Sequence, residues 1–201
     1  MPPEPVARIA TVQRKTSESD ISVTWNLDGV GQAKFETENG MLRHMLDALA
    51  RHGAFDLEVR AAGDVSMGWH HVLEDTAIVA GRCLDKALGD RRGITRMGHA
   101  YVPLDDALAR VVVDLGGRGY PVIDMGQPPF EGLFSSDMVR HFLESLAIEA
   151  RMNLHVKVLE GTNDHHRTEA VFKALGRALR AAVARDDRAP GVVPSTKGVI
   201  G

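Results

Sequence analysis

The residues best suited to chemistry come in two matched sets. His70-His71-Val72-Leu73-Glu74 and His165-His166-Arg167-Thr168-Glu169 share the pattern His-His-x-x-Glu, and a single His precedes each, His44 by 26 positions and His141 by 24. Six imidazoles and two carboxylates therefore recur at matched spacing. Neighbouring residues on an α-helix diverge by ~100°, so a His pair is better placed to give one ligand to each of two ions than two ligands to one. The Glu, four residues after the first His and three after the second, shares a face with either. Imidazole nitrogen with carboxylate oxygen suits a divalent ion such as Mn, Zn, Fe or Ni. Three His and one Glu per ion would use all eight groups and leave coordination positions open for a substrate. A lone His-His-x-x-Glu is more often a surface or core feature of a helix. The duplication, with a third His in the same context each time, is what carries the metal reading.

That context is itself repeated. Arg43-His44-Met45-Leu46-Asp47-Ala48-Leu49-Ala50 is echoed by Arg140-His141-Phe142-Leu143-Glu144-Ser145-Leu146-Ala147, and Gly81-Arg82 is echoed by Gly176-Arg177. The repeat period is 95 to 97 residues, one duplication rather than a solenoid. Alternation and β-branched residues predict strands over 8–14, 21–27, 32–36 and 55–60; apolar spacing predicts helices over 41–52, stopped by Gly53, and over 70–88, stopped by Gly89. The second half reads as strands over 107–115, 120–124 and 153–159 and helices over 137–151 and 165–184, with a Pro- and Gly-bearing loop over 126–133. Residues 1–6 and 186–201 read as tails. The expected fold is α+β: internally duplicated half-domains, 1–92 and 93–201 with the C-terminal tail, forming one integrated domain. Each half is a mostly antiparallel sheet with helices on one face, and a pseudo-twofold relates the halves so that their helical layers meet.

Composition sets outer bounds. With 201 residues, 44% hydrophobic and 25% charged, the chain suits an ordinary globular domain with a real core. A net charge of −3 argues against nucleic acid or an anionic membrane as partner. One cysteine, Cys83, excludes an internal disulfide framework and fits a reducing compartment. No apolar run of spanning length or secretory pattern is present, so a cytoplasmic location is expected.

Taken together, these residues resemble the imidazoleglycerol-phosphate dehydratase family over roughly residues 8–200. The resemblance rests on Arg14 and Glu18, His44-Met45-Leu46, His52-Gly53, Gly63-Asp64, His70-His71 with Glu74-Asp75, Gly93-Ile94 with Arg96, Pro103-Leu104-Asp105, Asp114-Leu115 with Gly117-Arg118, Leu154-His155-Val156, His165-His166 through Lys173-Ala174, and Pro194-Ser195-Thr196-Lys197-Gly198. It implies a Mn-dependent hydro-lyase of histidine biosynthesis. Such an enzyme converts imidazole glycerol phosphate to imidazole acetol phosphate, with two Mn ions per active site and an assembly of 24 subunits whose sites lie between subunits. In that pattern His70, Glu74, His141 and His165 would serve one ion, and His44, His71, His166 and Glu169 the other. Glu18 would be the catalytic acid/base, with Asp105 and Lys173 beside it in function, and Arg96, Arg118, Ser195 and Lys197 would hold the substrate phosphate. A substrate ring held between two cations can ionise and expel hydroxide from the adjoining carbon; a carboxylate can then remove the acidified hydrogen. Planar or point-charge donors suit the phosphate.

The chain departs from the family's usual pattern at Ser17, Arg43, Ser66 and Gly68-Trp69. An arginine at 43 cannot accept a ligand N–H as a carboxylate would. Two alternatives stay open at this level: a diverged enzyme acting on a related phosphorylated diol, and a non-catalytic assembly module stabilised by metal. His52, His99 and His155 match no ligand position.

Overall fold

The computed structural model describes residues 7–66, 68–127, 129 and 134–200. The expected tail over 1–6 lies outside these, as does most of the expected loop over 126–133. The first half runs β1 (Ile9–Lys15), β2 (Ser19–Asn26), β3 (Ala33–Glu36), α1 (Gly40–Gly53), β4 (Asp56–Gly63) and α2 (His70–Leu88). The second runs β5 (Met97–Leu104), β6 (Ala107–Asp114), β7 (Tyr120–Asp124), α3 (Ser136–Glu149), β8 (Asn153–Glu160) and α4 (Asp164–Val183). The sheets are ordered β1-β2-β4-β3 and β5-β6-β8-β7. In each, the last pair is parallel and the others antiparallel. The expected duplicated α+β fold is therefore present, with one unanticipated strand, β5.

Strand β5 was hidden by its own breakers. Pro103 and Gly98 interrupt its alternation, yet β5 is an edge strand, where a missing N–H costs no ladder bond. At Gly98 the backbone of α4 approaches so closely that a Cβ would lie 2.1 Å from the Ala178 carbonyl oxygen. The glycine is there for helix-on-sheet contact, not for a turn.

The helices pack across the duplication. Helix α2 lies on β1 and β2, and α4 on β5 and β6, but α1 packs against α4 and α3 against α2. Each half thus lends its shorter helix to the other half's longer one. The crossing points explain the repeated Gly-Arg pairs. A Cβ at Gly176 would lie 2.5 Å from the Leu49 carbonyl oxygen, and one at Gly81 would lie 2.8 Å from that of Leu146. Gly53 belongs to the same crossing, 3.2 Å from the Gly176 carbonyl oxygen in the same sense. It does not end α1 as expected: the helix runs through it, and Ala54 takes the left-handed turn at φ 53°. Around these crossings the apolar faces close over Trp25, Phe55, Phe142 and Phe172, all buried. Phe142 of α3 and Phe172 of α4 sit 5.7 Å apart by ring centroid, and Trp25 meets Phe55 edge-on at 5.6 Å. Burying each such ring contributes about 1.5–3 kcal/mol.

The C-terminal tail folds back on the start of the second half. Ile94 bridges Arg185, Gly93 N–H donates to the Val192 carbonyl at 2.9 Å, and Arg96 donates to the Pro194 carbonyl at 2.7 Å. No helix among the described residues is long and apolar enough to cross a membrane.

Gly176→Ala tests the crossing. Helix propensity alone favours Ala by about 1 kcal/mol, whereas a methyl forced against rigid backbone costs about 1–3 kcal/mol. The variant is expected to melt at a lower temperature than the parent; a higher melting temperature would mean that the helices part easily.

Candidate metal centres and their flanking groups

Each His-His-x-x-Glu opens a long helix. Asn163 caps α4 by accepting from the His166 N–H at 3.1 Å, while α2 begins at Trp69 with no side-chain cap. The first His and the Glu lie one turn apart on one face, and the cross-packed short helix brings the third group. On α4, Glu169 Oε2 lies 3.0 Å from Nε2 of both His165 and His44, whose rings stack with centroids 5.1 Å apart. On α2, Glu74 lies 3.8 Å from His70 Nε2 and 3.3 Å from His141 Nε2, with those rings stacked at 4.9 Å. In each trio one donor atom per residue falls within 4.8 Å of the others.

Two imidazole nitrogens and a carboxylate oxygen converging in this way are a set that a divalent cation can take as ligands. The buried Nε2 of His141 has no hydrogen-bond partner, which leaves it available as a ligand atom. Glu169 is held in its ionised form. Partial burial works against its charge, but Lys173 Nζ, 2.7 Å away, and then His44 outweigh it and hold its pKa down to about 2.

Within one chain the grouping differs from the expected sets in three imidazoles, His165, His71 and His166. Within one chain His165 lies with His44 and Glu169, not with His70, Glu74 and His141. The reason is helical: His165 and Glu169 are four apart on α4, and α4 crosses α1, which carries His44. The second members of the pairs, His71 and His166, belong to neither trio. Their rings stand nearly perpendicular to those of His70 and His165, at 84° and 77°.

Both outlying imidazoles meet carboxylates from the first hairpin of their own half. His71 Nδ1 lies 3.6 Å from Glu18, which is mostly exposed. His166 Nε2 lies 3.4 Å from Asp105, and its Nδ1 lies 2.7 Å from Asp106. Asp105 stands at φ 47°, in the left-handed region. Asp106 escaped sequence reasoning. It also accepts from the backbone N–H groups of Thr162 and Asn163 at 2.7 and 3.0 Å. Thr162, then His166, then Asn163 hold its carboxyl well below the ordinary carboxylate range. The sequence offered only the adjacent pair Asp105-Asp106; the hairpin turn that carries it, and what it would touch, were not legible.

Arg96, Arg118, Ser195 and Lys197 line a separate cleft of about 550 Å³. Arg96 is largely committed within the chain: Nε and Nη2 grip Asp114 at 2.7 and 2.9 Å, and Nη1 reaches the Pro194 carbonyl. It therefore ties down the segment bearing Ser195 and Lys197. Ser195 Oγ in turn accepts from the Lys197 N–H at 3.2 Å.

Comparison with known proteins agrees on one family. A family profile described as imidazoleglycerol-phosphate dehydratase matches residues 37–179. The imidazoleglycerol-phosphate dehydratase of Roseiflexus sp. (strain RS-1) is 51% identical over 194 residues, covering 96% of this chain and 98% of that protein. That of Corynebacterium jeikeium (strain K411) is 48% identical over 206 residues, covering 100% of both. Among crystal structures, IGPD from Pyrococcus furiosus in complex with (S)-C348 matches with a TM-score of 0.82 at 36% identity, over 94% of this chain and 100% of that one. Imidazoleglycerol-phosphate dehydratase from Staphylococcus aureus matches with a TM-score of 0.77 at 34% identity, over 88% of this chain and 99% of that one.

The low pKa of Glu169 carries a sign that metal-free protein can reveal. An unfolded Glu titrates near about 4.3; a folded value below that adds stability that is full above the unfolded pKa and is lost as pH falls through the folded one. Metal-stripped Glu169→Gln is therefore expected to lose less melting temperature than the parent between about pH 5 and about pH 2. Parallel curves would refute the assignment.

Proposed function

Because the chain belongs to the imidazoleglycerol-phosphate dehydratase family, we propose that it eliminates water from imidazole glycerol phosphate to give imidazole acetol phosphate, using two manganese ions per active site. The observation that carries this reading is the pair of His-His-Glu trios. Each offers three ligand atoms to one ion and stands beside a further imidazole turned away from it. On this reading His70, Glu74 and His141 hold one ion and His44, His165 and Glu169 the other. His71 and His166 are ligands to ions held chiefly by other copies of the chain, which favours a closed homo-oligomer of the 24-subunit kind. Diverging neighbours on a helix are suited to that division.

When bound, the cations supply Lewis acidity that makes an imidazole ring easier to ionise and fix. The remaining work falls to this chain's side chains. Lys173 keeps the Glu169 ligand charged. Asp106 accepts from His166 Nδ1, which leaves Nε2 as the free donor to metal. Glu18 is the general base that removes the carbon-bound hydrogen next to the departing hydroxyl; its exposure leaves it free to reach a substrate. The proton that Glu18 takes up is the one that the departing hydroxyl needs to leave as water, and Asp105, beside the other outlying imidazole, is a second carboxylate at the site. Arg118, Ser195 and Lys197 bind the phosphate, with Arg96 anchoring the segment that carries two of them.

Two measurements test this. Purified protein loaded with Mn and given imidazole glycerol phosphate is expected to form the ketone product; none formed would reject the reading. Glu18→Gln is expected to lower kcat by about 10²–10⁴-fold while bound metal stays at the parental level by elemental analysis. By contrast, His70→Ala and His44→Ala should each cost one bound ion per chain.

A further inference from the structure

The first half carries a polar cluster for which the second half has no equivalent. An offset of 88 carries the first hairpin onto the corresponding one, because it turns the pairing of β1 with β2 into that of β5 with β6. Ile9 with Asn26 becomes Met97 with Asp114, and Lys15 with Asp20 becomes Pro103 with Leu108. The offset of 95 that carries His70 onto His165 carries α2 onto α4. By these offsets Glu18 falls on Asp106, and the imidazole beside it, His71, falls on His166, the imidazole beside Asp106. Three neighbouring positions change character: Arg14, Ser19 and Asp75 fall on Val102, Ala107 and Ala170.

In the first half these three side chains meet. Ser19 Oγ donates to Asp75 Oδ2, and Arg14 Nη1 pairs with Asp75 Oδ1. Ser19 and Asp75 are both buried. In the second half Val102, Ala107 and Ala170 are buried too, and none is polar. The same hairpin thus closes on the same helix without a charge between them, so the fold does not require the cluster. Nor is such a pair a gain in stability as a rule, because desolvation offsets the attraction of buried charges. A cluster kept in one copy and absent from the other serves what else distinguishes that copy, the carboxylate at the hairpin tip.

Glu18 is held by its main chain and left free in its side chain. Its N–H donates to Thr16 Oγ1 at 3.1 Å, its carbonyl accepts from the Asp64 N–H at 2.9 Å, and the next residue, Ser19, is the one tied to Asp75. The carboxylate itself stays mostly exposed, 3.6 Å from His71. Its counterpart Asp106 is gripped directly, by the N–H groups of Thr162 and Asn163. A base that must reach a substrate cannot be gripped in that way, so its backbone is fixed instead. Asp75 follows Glu74 of the first trio, so one turn of α2 anchors both. We propose that Asp75 is a positioning residue for Glu18, acting through Ser19 and Arg14 to keep the base in register with the His70–Glu74–His141 site; this rests on the dehydratase reading above.

The apolar set of the second half supplies the test, because the molecule already folds around it. Mn-loaded Arg14→Val/Ser19→Ala/Asp75→Ala is expected to bind as much Mn per chain as the parent and to lower kcat on imidazole glycerol phosphate about 10²-fold, with KM unchanged. Ser19→Ala alone, a change too small to unfold the chain, is expected to lower kcat by a smaller factor, again with KM unchanged. Placed on Glu18→Gln, the triple change is expected to lower kcat no further, since residues that act as one unit are not additive. A purely structural cluster would instead lower the melting temperature and leave kcat alone. Parental kcat in both variants, or a full further loss on Glu18→Gln, would overturn the inference alone. A parent that forms no ketone would reject the dehydratase reading, and this inference with it.

Discussion

Backbone touching backbone, where helices of different halves cross, is the constraint on which this molecule rests. At Gly176 against Leu49 and Gly53, and at Gly81 against Leu146, no side chain separates the two helices. Interiors packed to this density transmit small displacements. His44 reaches His165 and Glu169 only because α1 lies hard against α4, and His141 reaches His70 and Glu74 only because α3 lies hard against α2. The trio geometry is thus set about two to three helical turns along α2 and α4 from the trios themselves, by residues that have no side chain at all.

Around that frame, charge is placed unevenly. The Glu169 trio is backed by Lys173, whereas Glu74 has no lysine beside it in the described contacts. The outlying imidazoles differ in the same way. His166 is fixed by Asp106, which is itself held by two backbone N–H groups. The carboxylate that His71 meets, the exposed Glu18, stands at a looser distance. Buttressing one imidazole while leaving the other adjustable suits a site in which one carboxylate must stay still and another must reach a substrate. The duplication supplied equal halves, and single substitutions made them chemically unequal.

Much of this was legible in the residues. Paired motifs at fixed spacing disclosed the duplication, the side chains that form the two trios and the long helices, because helices impose a strict period. The register of α2 could be read to the residue. Less was legible wherever tertiary contact overrode local preference. Strand β5 carries Gly98 for the sake of α4 and Pro103 because it is an edge, and both read as breakers. Gly53 read as a stop when it is a contact, which left Ala54 to adopt the left-handed turn. Which imidazoles share a trio depended on helices that cross far along the chain: His44 and His165 are 121 residues apart, His70 and His141 71. Asp106 was invisible for a related reason: its partners Thr162, Asn163 and His166 lie far along the sequence, at the entry to α4.

The exchange of short helices also bears on how the chain could be divided. Each half's sheet covers one side of its own long helix, and the other half's short helix covers another side. Severed in the connection between α2 and β5, the two pieces would each present a bare apolar flank, and neither would keep its shape alone. Mixed together, they would find in one another the only surface cut to fit. The molecule is in this sense a dimer whose two members happen to share one backbone, and its reassembly from fragments would restore both ligand trios in the same event.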